Sequence, residues 1–254
     1  MRRAFTRAVS PRLAECQLTH LERVPIDASR AASQHSDYEA ALRTAGFEII
    51  RLPELADDPD AVFVEDTALL LEGHAVITRP GAASRANETR STAAGLAGRF
   101  ELHSIARGFL DGGDVLRIGK RLHVGRSSRT DADGIADLAE LIRPLGYEVI
   151  ETRLRDCLHL KTGATYAGNG VLIYNESCVD PVQFAGVEPL PVFPTEPAAA
   201  NCIRAGDCII MPAGNPRTTA MMNDRGFNVI EVDVSELQKA ESGVTCMSLI
   251  DDRP

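Results

Sequence analysis

Asp111-Gly112-Gly113-Asp114-Val115-Leu116 joins two acids and two glycines to an apolar run with the composition of a β-strand. The glycines remove side chains where another group must approach the backbone closely. Four other segments also begin with a polar residue capable of chemistry: Glu65-Asp66-Thr67-Ala68-Leu69-Leu70, His159-Leu160-Lys161-Thr162, Asn201-Cys202-Ile203 and Cys246-Met247-Ser248-Leu249-Ile250. The five starting positions are 46, 48, 42 and 45 residues apart, which indicates a repeated supersecondary unit.

Each polar start is followed by two β-rich runs that are joined by a turn containing glycine, the usual sign of a β-hairpin. A helical stretch and a further strand come next. In the clearest example, Thr130-Asp131 can cap a helix that ends before Gly146, and the strand-like residues 147–150 follow. Residues 38–50 and 217–230 repeat the same order, with a glycine at the corresponding helix end.

The unit that starts at Cys246 is too short to contain its own helix and closing strand. We expect residues 3–9 to supply the missing strand and residues 38–50 the helix and last strand. The two termini would then close a ring that has no open edge. The predicted fold class is α/β, a five-bladed α/β propeller of ββαβ units with pseudo-fivefold symmetry. Three loops rich in Pro, Ser and Thr are predicted lid or rim elements, at residues 18–36, 78–91 and 181–200.

Bulk composition excludes several classes of function. The 254 residues are 44% hydrophobic, enough to bury a large core in one domain over residues 1–254. The formal net charge of -9 argues against a nucleic-acid partner, and the lack of an 18-residue apolar run argues against a membrane span. Six cysteines without paired spacing, and a basic N-terminus with no signal-peptide core behind it, predict reduced thiols and a cytoplasmic location.

Repetition around an axis would bring Cys246, His159 and Asp111 to one place. A thiol near an imidazole that is oriented by a carboxylate is the arrangement of nucleophilic catalysis. Each residue also has a plainer interpretation, since a cysteine beside an apolar run is usually inert and Asp-Gly turns are common. A zinc site of Cys157, His159 and Cys246 is conceivable, but no paired ligand spacing supports it, and we expect no metal.

The adjacent acids Glu65 and Asp66 end an apolar run, so a strand there would point them to opposite faces and bury at least one. A buried carboxylate without a cationic partner is costly. Because the sequence shows no surplus of central Arg or Lys, we expect the cation to be the substrate, and a planar guanidinium fits converging carboxylates. Arg85 and Arg129 each follow a hairpin and could hold a carboxylate at the mouth, which indicates an arginine-like amino acid.

Five motifs together resemble those of the dimethylarginine dimethylaminohydrolases, within the guanidino-group-modifying superfamily. They occur in order along nearly the whole chain: Phe63-Val64-Glu65-Asp66, Leu110 to Leu116, Leu158-His159-Leu160-Lys161, Ala199-Ala200-Asn201-Cys202-Ile203 and Thr245-Cys246-Met247-Ser248. The resemblance implies a five-unit α/β propeller, in agreement with the repeat, and a single catalytic domain.

The same resemblance implies roles for individual residues. Cys246 is matched to the nucleophile, His159 to the general acid/base and Asp111 to its carboxylate partner, where some relatives have Glu. The remaining matches bind substrate: Glu65 and Asp66 the guanidinium, Asp60 and the Leu18 backbone the α-amino group, Arg85 and Arg129 the α-carboxylate, and Ala240 a further backbone contact.

The implied activity is hydrolysis of Nω-methylated and Nω,Nω-dimethylated L-arginine to L-citrulline and methylamine or dimethylamine. It proceeds through a covalent S-alkylthiouronium on Cys246, without a metal or organic cofactor. The alternative is arginine deiminase-like release of ammonia, but those relatives carry an acid where this chain has Lys161, and an extra helical domain for which it is too short. A binding propeller with an idle thiol is the non-enzymatic alternative. The expected partner is a small-molecule substrate, and the oligomeric state, monomer or homodimer, stays open.

Overall fold

Five small β-sheets of three strands each make up the sheet structure of the computed structural model, which describes residues 2–253. The strands are β1 (Arg3–Thr6), β2 (Glu48–Arg51), β3 (Ala68–Leu71), β4 (His74–Ile77), β5 (Glu101–Ser104), β6 (Val115–Ile118), β7 (Arg121–Arg126), β8 (Glu148–Arg153), β9 (Ala164–Gly168), β10 (Val171–Tyr174), β11 (Glu188–Pro191), β12 (Ile203–Ala205), β13 (Cys208–Pro212), β14 (Asn228–Val232) and β15 (Leu249–Asp251). The helices are α1 (Ala28–Thr44), α2 (Ala86–Leu96), α3 (Ala132–Ile142), α4 (Leu160–Gly163), α5 (Pro216–Asp224) and α6 (Ser235–Gln238).

All five sheets, the blades of the propeller, share one topology. A middle strand pairs antiparallel with an inner strand and parallel with an outer strand, as in β3-β4-β5 and β6-β7-β8. In the first blade, β1 is the middle strand and lies between β15 and β2, with Arg3 opposite both Asp251 and Glu48. The prediction that the two termini complete one unit is therefore confirmed.

Local sequence signals position the helices as predicted in the third blade. The Asp131 side chain accepts a hydrogen bond from the Gly134 backbone N–H and caps α3. One face of α3 is buried, through Ile135, Leu138 and Ile142 at helical spacing. The chain leaves this helical region through Gly146, whose φ of 78° is a left-handed conformation that suits glycine.

Two predicted loops contain more helix than expected. Helix α1 begins at Ala28, where Asp27 accepts hydrogen bonds from the backbone N–H groups of Ser29 and Arg30, so much of the 18–36 segment is a capped helix. Helix α2 likewise begins at Ala86, inside the segment predicted as a loop over residues 78–91. The sequence did not predict these helical turns because their residues are mostly polar and face water, so they show no apolar periodicity.

The polar residues that open each repeat lie in short helical turns and not on the strands themselves. Glu65 and Asp66 belong to a 3₁₀ turn, Val64–Thr67, so the prediction that they point to opposite faces of a strand is wrong. His159 precedes α4 as its N-cap residue, and Cys246 lies in the 3₁₀ turn Thr245–Met247. The expectation of a ring without edges is also wrong, because the five sheets stay separate and their outer strands are largely exposed.

Hydrogen bonds join the five polar turns into a closed circle at the centre of the molecule. In order around the circle, the Thr245 hydroxyl donates to Glu65 (2.7 Å), the Gly113 N–H to Asp66 (3.0 Å), the Leu160 N–H to Asp114 (3.0 Å), the Asn201 amide to the Lys161 carbonyl (3.0 Å) and the Thr245 N–H to Asn201 (3.0 Å). Asn201, grouped with the reactive residues in the sequence, thus links two neighbouring turns. No helix within residues 2–253 has the length and apolar character needed to cross a bilayer.

Candidate active site

A cavity of about 30 Å³ lies beside the circle of polar turns. Eight of the ten residues predicted from the sequence line it: Asp60, Asp66, Arg85, Asp111, Arg129, His159, Ala240 and Cys246. Glu65 lines a second cavity of about 200 Å³, together with Lys161 and Thr245. Leu18 packs against the hydrophobic core next to the first cavity. The repeat therefore brings the thiol, imidazole and carboxylate to one place.

The Cys246 thiol is held in its turn by a backbone contact. The Gly243 N–H donates to Cys246 Sγ over 3.4 Å, a favourable interaction for a thiolate. Burial, followed by the nearby carboxylates Glu65 and Asp66, nevertheless raises the pKa of the thiol to about 12. Burial and the two carboxylates therefore favour the neutral thiol over the thiolate in the free protein.

His159 and Asp111 form the second part of the site. His159 Nε2 lies 3.1 Å from Asp111 Oδ2, while the Gly81 backbone N–H donates to Asp111 Oδ1 over 3.1 Å. Burial disfavours a charged imidazole, but the surrounding carboxylates of Asp66, Asp114 and Asp111 outweigh it and raise the pKa of His159 to about 9. At pH 7 the resting ring is an imidazolium, which suits a general acid.

Gly113 supplies the close approach that the sequence predicted. A Cβ atom on Gly113 would lie 2.7 Å from Asp66 Oδ1 and 2.8 Å from His159 Nδ1, too close for any side chain. Its neighbour Gly112 is restricted in the same way by the carbonyl of Glu65. The two glycines therefore let adjacent turns meet at the His159 imidazole.

Both adjacent acids have cationic partners within the chain, which contradicts the expectation that the centre lacks Arg and Lys. Lys161 Nζ lies 2.6 Å from Glu65 Oε1, and Arg85 Nη1 donates to Asp66 Oδ2 over 2.5 Å. The Arg85 guanidinium is buried and also bonds to Glu88. Sequence spacing could not reveal these pairs, because the partners belong to separate elements. The two carboxylates therefore have cationic partners before any substrate binds.

Two residues near the site carried no assigned role in the sequence interpretation. Asp114 accepts hydrogen bonds from the Leu160 N–H and the Ser127 hydroxyl, and burial raises its pKa to about 6. Its signal was its place as the second acid of the Asp-Gly-Gly-Asp motif. The Glu241 carboxylate accepts backbone hydrogen bonds from residues 19–21, and so holds the segment next to Leu18 over the cavity. No sequence pattern marks Glu241 for that function.

Three side chains at the site offer donor atoms within 4.8 Å of one another, namely Asp66, Asp111 and His159. Arg85 and backbone N–H groups already occupy the carboxylates, so the set is arranged for hydrogen bonding within the protein. Cys157, His159 and Cys246 do not form such a group among residues 2–253. The Cys157 thiol donates to the His159 carbonyl and faces a different cavity.

Comparisons with known proteins agree with this geometry. No family model matches the chain. A Streptomyces coelicolor protein named N(G),N(G)-dimethylarginine dimethylaminohydrolase is 37% identical over 251 residues, which cover 98% of this chain and 96% of the relative. A Pseudomonas aeruginosa protein of the same name is 37% identical over 227 residues, covering 88% of this chain and 89% of the relative.

Solved structures are similar over the whole fold. The Pseudomonas aeruginosa enzyme, as a cysteine-to-serine mutant complexed with citrulline, superposes with a TM-score of 0.92 at 34% identity and covers 98% of both chains. A dimethylarginine dimethylaminohydrolase with a histidine-to-glycine substitution, solved as an adduct with S-methyl-L-thiocitrulline, gives a TM-score of 0.90 at 34% identity over 99% of this chain and 100% of that one.

Proposed function

The chain belongs to the dimethylarginine dimethylaminohydrolase family, and from this premise we propose that it hydrolyses Nω-methylated and Nω,Nω-dimethylated L-arginine to L-citrulline and methylamine or dimethylamine. The observation that carries the proposal is that Cys246, His159 and Asp111, from three different blades, line one cavity. Such a thiol–imidazole–carboxylate set performs nucleophilic catalysis in proteins of many folds.

We propose that the substrate lies with its guanidinium against Asp66 and Cys246 and its amino-acid end towards the mouth. Asp60 supports this orientation, because its carboxylate already accepts the Gln17 backbone N–H next to Leu18, where an α-amino group would add a second donor. Arg129 lines the same cavity and bonds to Thr19 over 2.9 Å, so its guanidinium is near the mouth. Arg85, predicted to bind the α-carboxylate at the mouth, is instead buried and bonded to Asp66 and Glu88, so we assign it the support of Asp66 and leave the α-carboxylate to Arg129.

In the first half-reaction, the bound guanidinium lowers the pKa of the Cys246 thiol, and the thiol proton leaves to solvent. The thiolate attacks the guanidinium carbon, and the C–S bond forms. His159 then gives its proton to the departing nitrogen as the C–N bond breaks, releasing methylamine or dimethylamine. Asp111 holds the imidazole in position through the 3.1 Å hydrogen bond to Nε2.

The second half-reaction starts from the S-alkylthiouronium on Cys246 and a neutral His159. The imidazole accepts a proton from a water molecule, whose oxygen attacks the same carbon. The C–S bond breaks, the oxygen loses its remaining proton to give the ureido group of citrulline, and Cys246 leaves as a thiolate. Every proton transfer uses groups in the cavity or solvent, so the sequence of steps needs no cofactor.

Citrulline formation from a panel of substrates tests the proposed activity. We expect turnover of monomethylarginine and asymmetric dimethylarginine, with kcat/KM at least about tenfold above that for arginine, because a pocket adapted to an extra methyl group discriminates by roughly 10–200-fold. Lys161 occupies the place of the acid that the deiminase alternative requires, and it is paired with Glu65. A higher kcat/KM for arginine than for the methylated arginines would establish an arginine deiminase. If the protein turned over no guanidino compound, agmatine included, the remaining interpretation would be a propeller that binds a ligand without catalysis.

Replacement of Arg129 by alanine is expected to raise KM for dimethylarginine by about 10- to 150-fold with a smaller change in kcat. A hydrogen bond to a charged group contributes about 1.5–3 kcal/mol, and the α-carboxylate is bound equally in ground and transition states. Arg126→Ala is the matched control, because Arg126 is exposed and its partner is Glu151, at 3.6 Å. Steady-state kinetics on both variants give the answer, and equal KM values would contradict the assignment of Arg129.

We also propose that residues 1–254 form one catalytic domain that acts in the cytoplasm as a monomer or homodimer and binds no nucleic acid. Pairing of β1 with β15 supports the single domain, because it joins the two ends of the chain in one sheet. The net charge of -9 supports the absence of a nucleic-acid partner. Gel filtration with light scattering measures the oligomeric state.

A further inference from the structure

Three side chains of types that can ligate metals lie close together on the second blade, on its middle and outer strands. His74 is on β4, and Glu101 and His103 are on β5. The two strands are parallel, with His74 opposite Glu101 and Val76 opposite His103. Because side chains two residues apart share one face of a strand, all three project from the same side of the sheet.

The separations between their donor atoms match those of ligands around one small cation. His74 Nδ1 lies 3.1 Å from His103 Nε2 and 3.5 Å from Glu101 Oε2, and His103 Nε2 lies 3.8 Å from Glu101 Oε1. Zinc–nitrogen and zinc–oxygen bonds of about 2.0–2.2 Å at tetrahedral angles place neighbouring ligand atoms roughly 3.3–3.6 Å apart. An ion can therefore enter with shifts of only a few tenths of an ångström.

Charge and access also favour a cation. Within residues 2–253, Glu101 forms no ion pair with lysine or arginine, so its carboxylate is available to a metal. The nearby Arg253 is neutralised by Asp251 over 2.7 Å and stacks on Phe100. The side chains of His74, His103 and Glu101 are 25%, 22% and 69% exposed, so an ion reaches them without unfolding of the blade.

We propose that His74, Glu101 and His103 form a site for Zn²⁺ or a first-row cation of similar softness, with solvent as the fourth ligand. A donor set of two imidazoles and one carboxylate binds such ions in preference to Mg²⁺ or Ca²⁺. The bound ion would tie β5 to β4 and stabilise the exposed outer strand of the blade. This site is separate from the cavity at Cys246 and does not depend on the proposed activity.

Zinc titration of the metal-free, full-length Cys246→Ser protein against a chromophoric chelator tests the site, because that background removes the thiol as a competing ligand. We expect about one bound equivalent, and at least about 100-fold weaker binding after His74→Ala and His103→Ala together, since loss of even an outer-shell partner costs about 10–100-fold. His20→Ala, which removes a histidine elsewhere on the surface, should leave the affinity unchanged.

Thermal unfolding gives a second readout. Zinc should raise Tm of the Cys246→Ser background by stabilising the folded state, and should raise it less in the double variant. The Co²⁺-loaded protein should show the visible absorption of a tetrahedral nitrogen and oxygen site, which the double variant should lack. Absence of stoichiometric binding in the Cys246→Ser background, or equal zinc affinity in the double variant, would overturn the proposal.

Discussion

Replacement of Cys246 by serine is expected to lower kcat for dimethylarginine by more than about 10⁴-fold while the fold and ligand binding persist. The reason is chemical, because a serine hydroxyl is far less acidic and less nucleophilic than a thiol. The Gly243 N–H that contacts Sγ over 3.4 Å can equally donate to a hydroxyl oxygen, so the turn should keep its shape.

The measurement is citrulline release at saturating substrate, together with intact-protein mass spectrometry during turnover. The wild-type protein should show an adduct on Cys246, and the serine variant should show none. Cys208→Ser is the matched control, since this cysteine lies on β13 at hydrogen-bonding distance from Asn228. Near-wild-type turnover by the Cys246 variant would refute nucleophilic catalysis, and unchanged thermal unfolding would exclude loss of the fold as the cause.

Replacement of His159 by glutamine is expected to lower kcat by about 10²- to 10⁴-fold, the usual contribution of general acid–base catalysis. The glutamine amide N–H can replace His159 Nε2, which lies 3.1 Å from Asp111 Oδ2, so the Asp111 carboxylate keeps a hydrogen-bond donor. His123→Gln is the control, because His123 is also buried but bonds to Thr152 on the third blade. Equal losses in the two variants would show that the effect is structural.

The protonation states of Cys246 and His159 predict how kcat/KM depends on pH. The pKa values of about 12 for the thiol and about 9 for the imidazole mean that both are protonated in the free protein at pH 7. The proposed transition state contains a thiolate and an imidazolium, which is one proton fewer. Hence kcat/KM should rise about tenfold per pH unit and level off near pH 9, where His159 loses its proton.

The His159→Gln variant has no imidazole to deprotonate near pH 9, so its kcat/KM should continue to rise with pH towards the pKa of the Cys246 thiol. Steady-state kinetics between pH 6 and 10 on the wild-type protein and the variant measure both profiles. A wild-type profile that is flat over the lower part of this range would mean that the resting pair is already a thiolate and an imidazolium.

Much of the fold followed from contiguous stretches of sequence. The repeat of about 45 residues, the pairing of the chain ends in one unit and the helix capped by Asp131 were all predicted and are present. Capping and glycine conformation act between residues a few positions apart, whereas the pairing of the chain ends follows from the repeat, because each end supplies only part of one unit. The convergence of Cys246, His159 and Asp111 on one cavity followed from the same repeat.

Other features depended on contacts between separate elements of the fold. The Lys161–Glu65 pair and the hydrogen bonds of Glu241 to residues 19–21 join residues that are remote in sequence, and the Arg85–Asp66 pair joins two elements of one blade. Their side chains meet only after the turns have packed, and no local pattern encodes which cation reaches which acid. The sequence by itself determined the repeating unit and its reactive ends, whereas charge neutralisation and proton affinity at the centre were decided by tertiary structure, since Coulomb energy and desolvation depend on distance and burial.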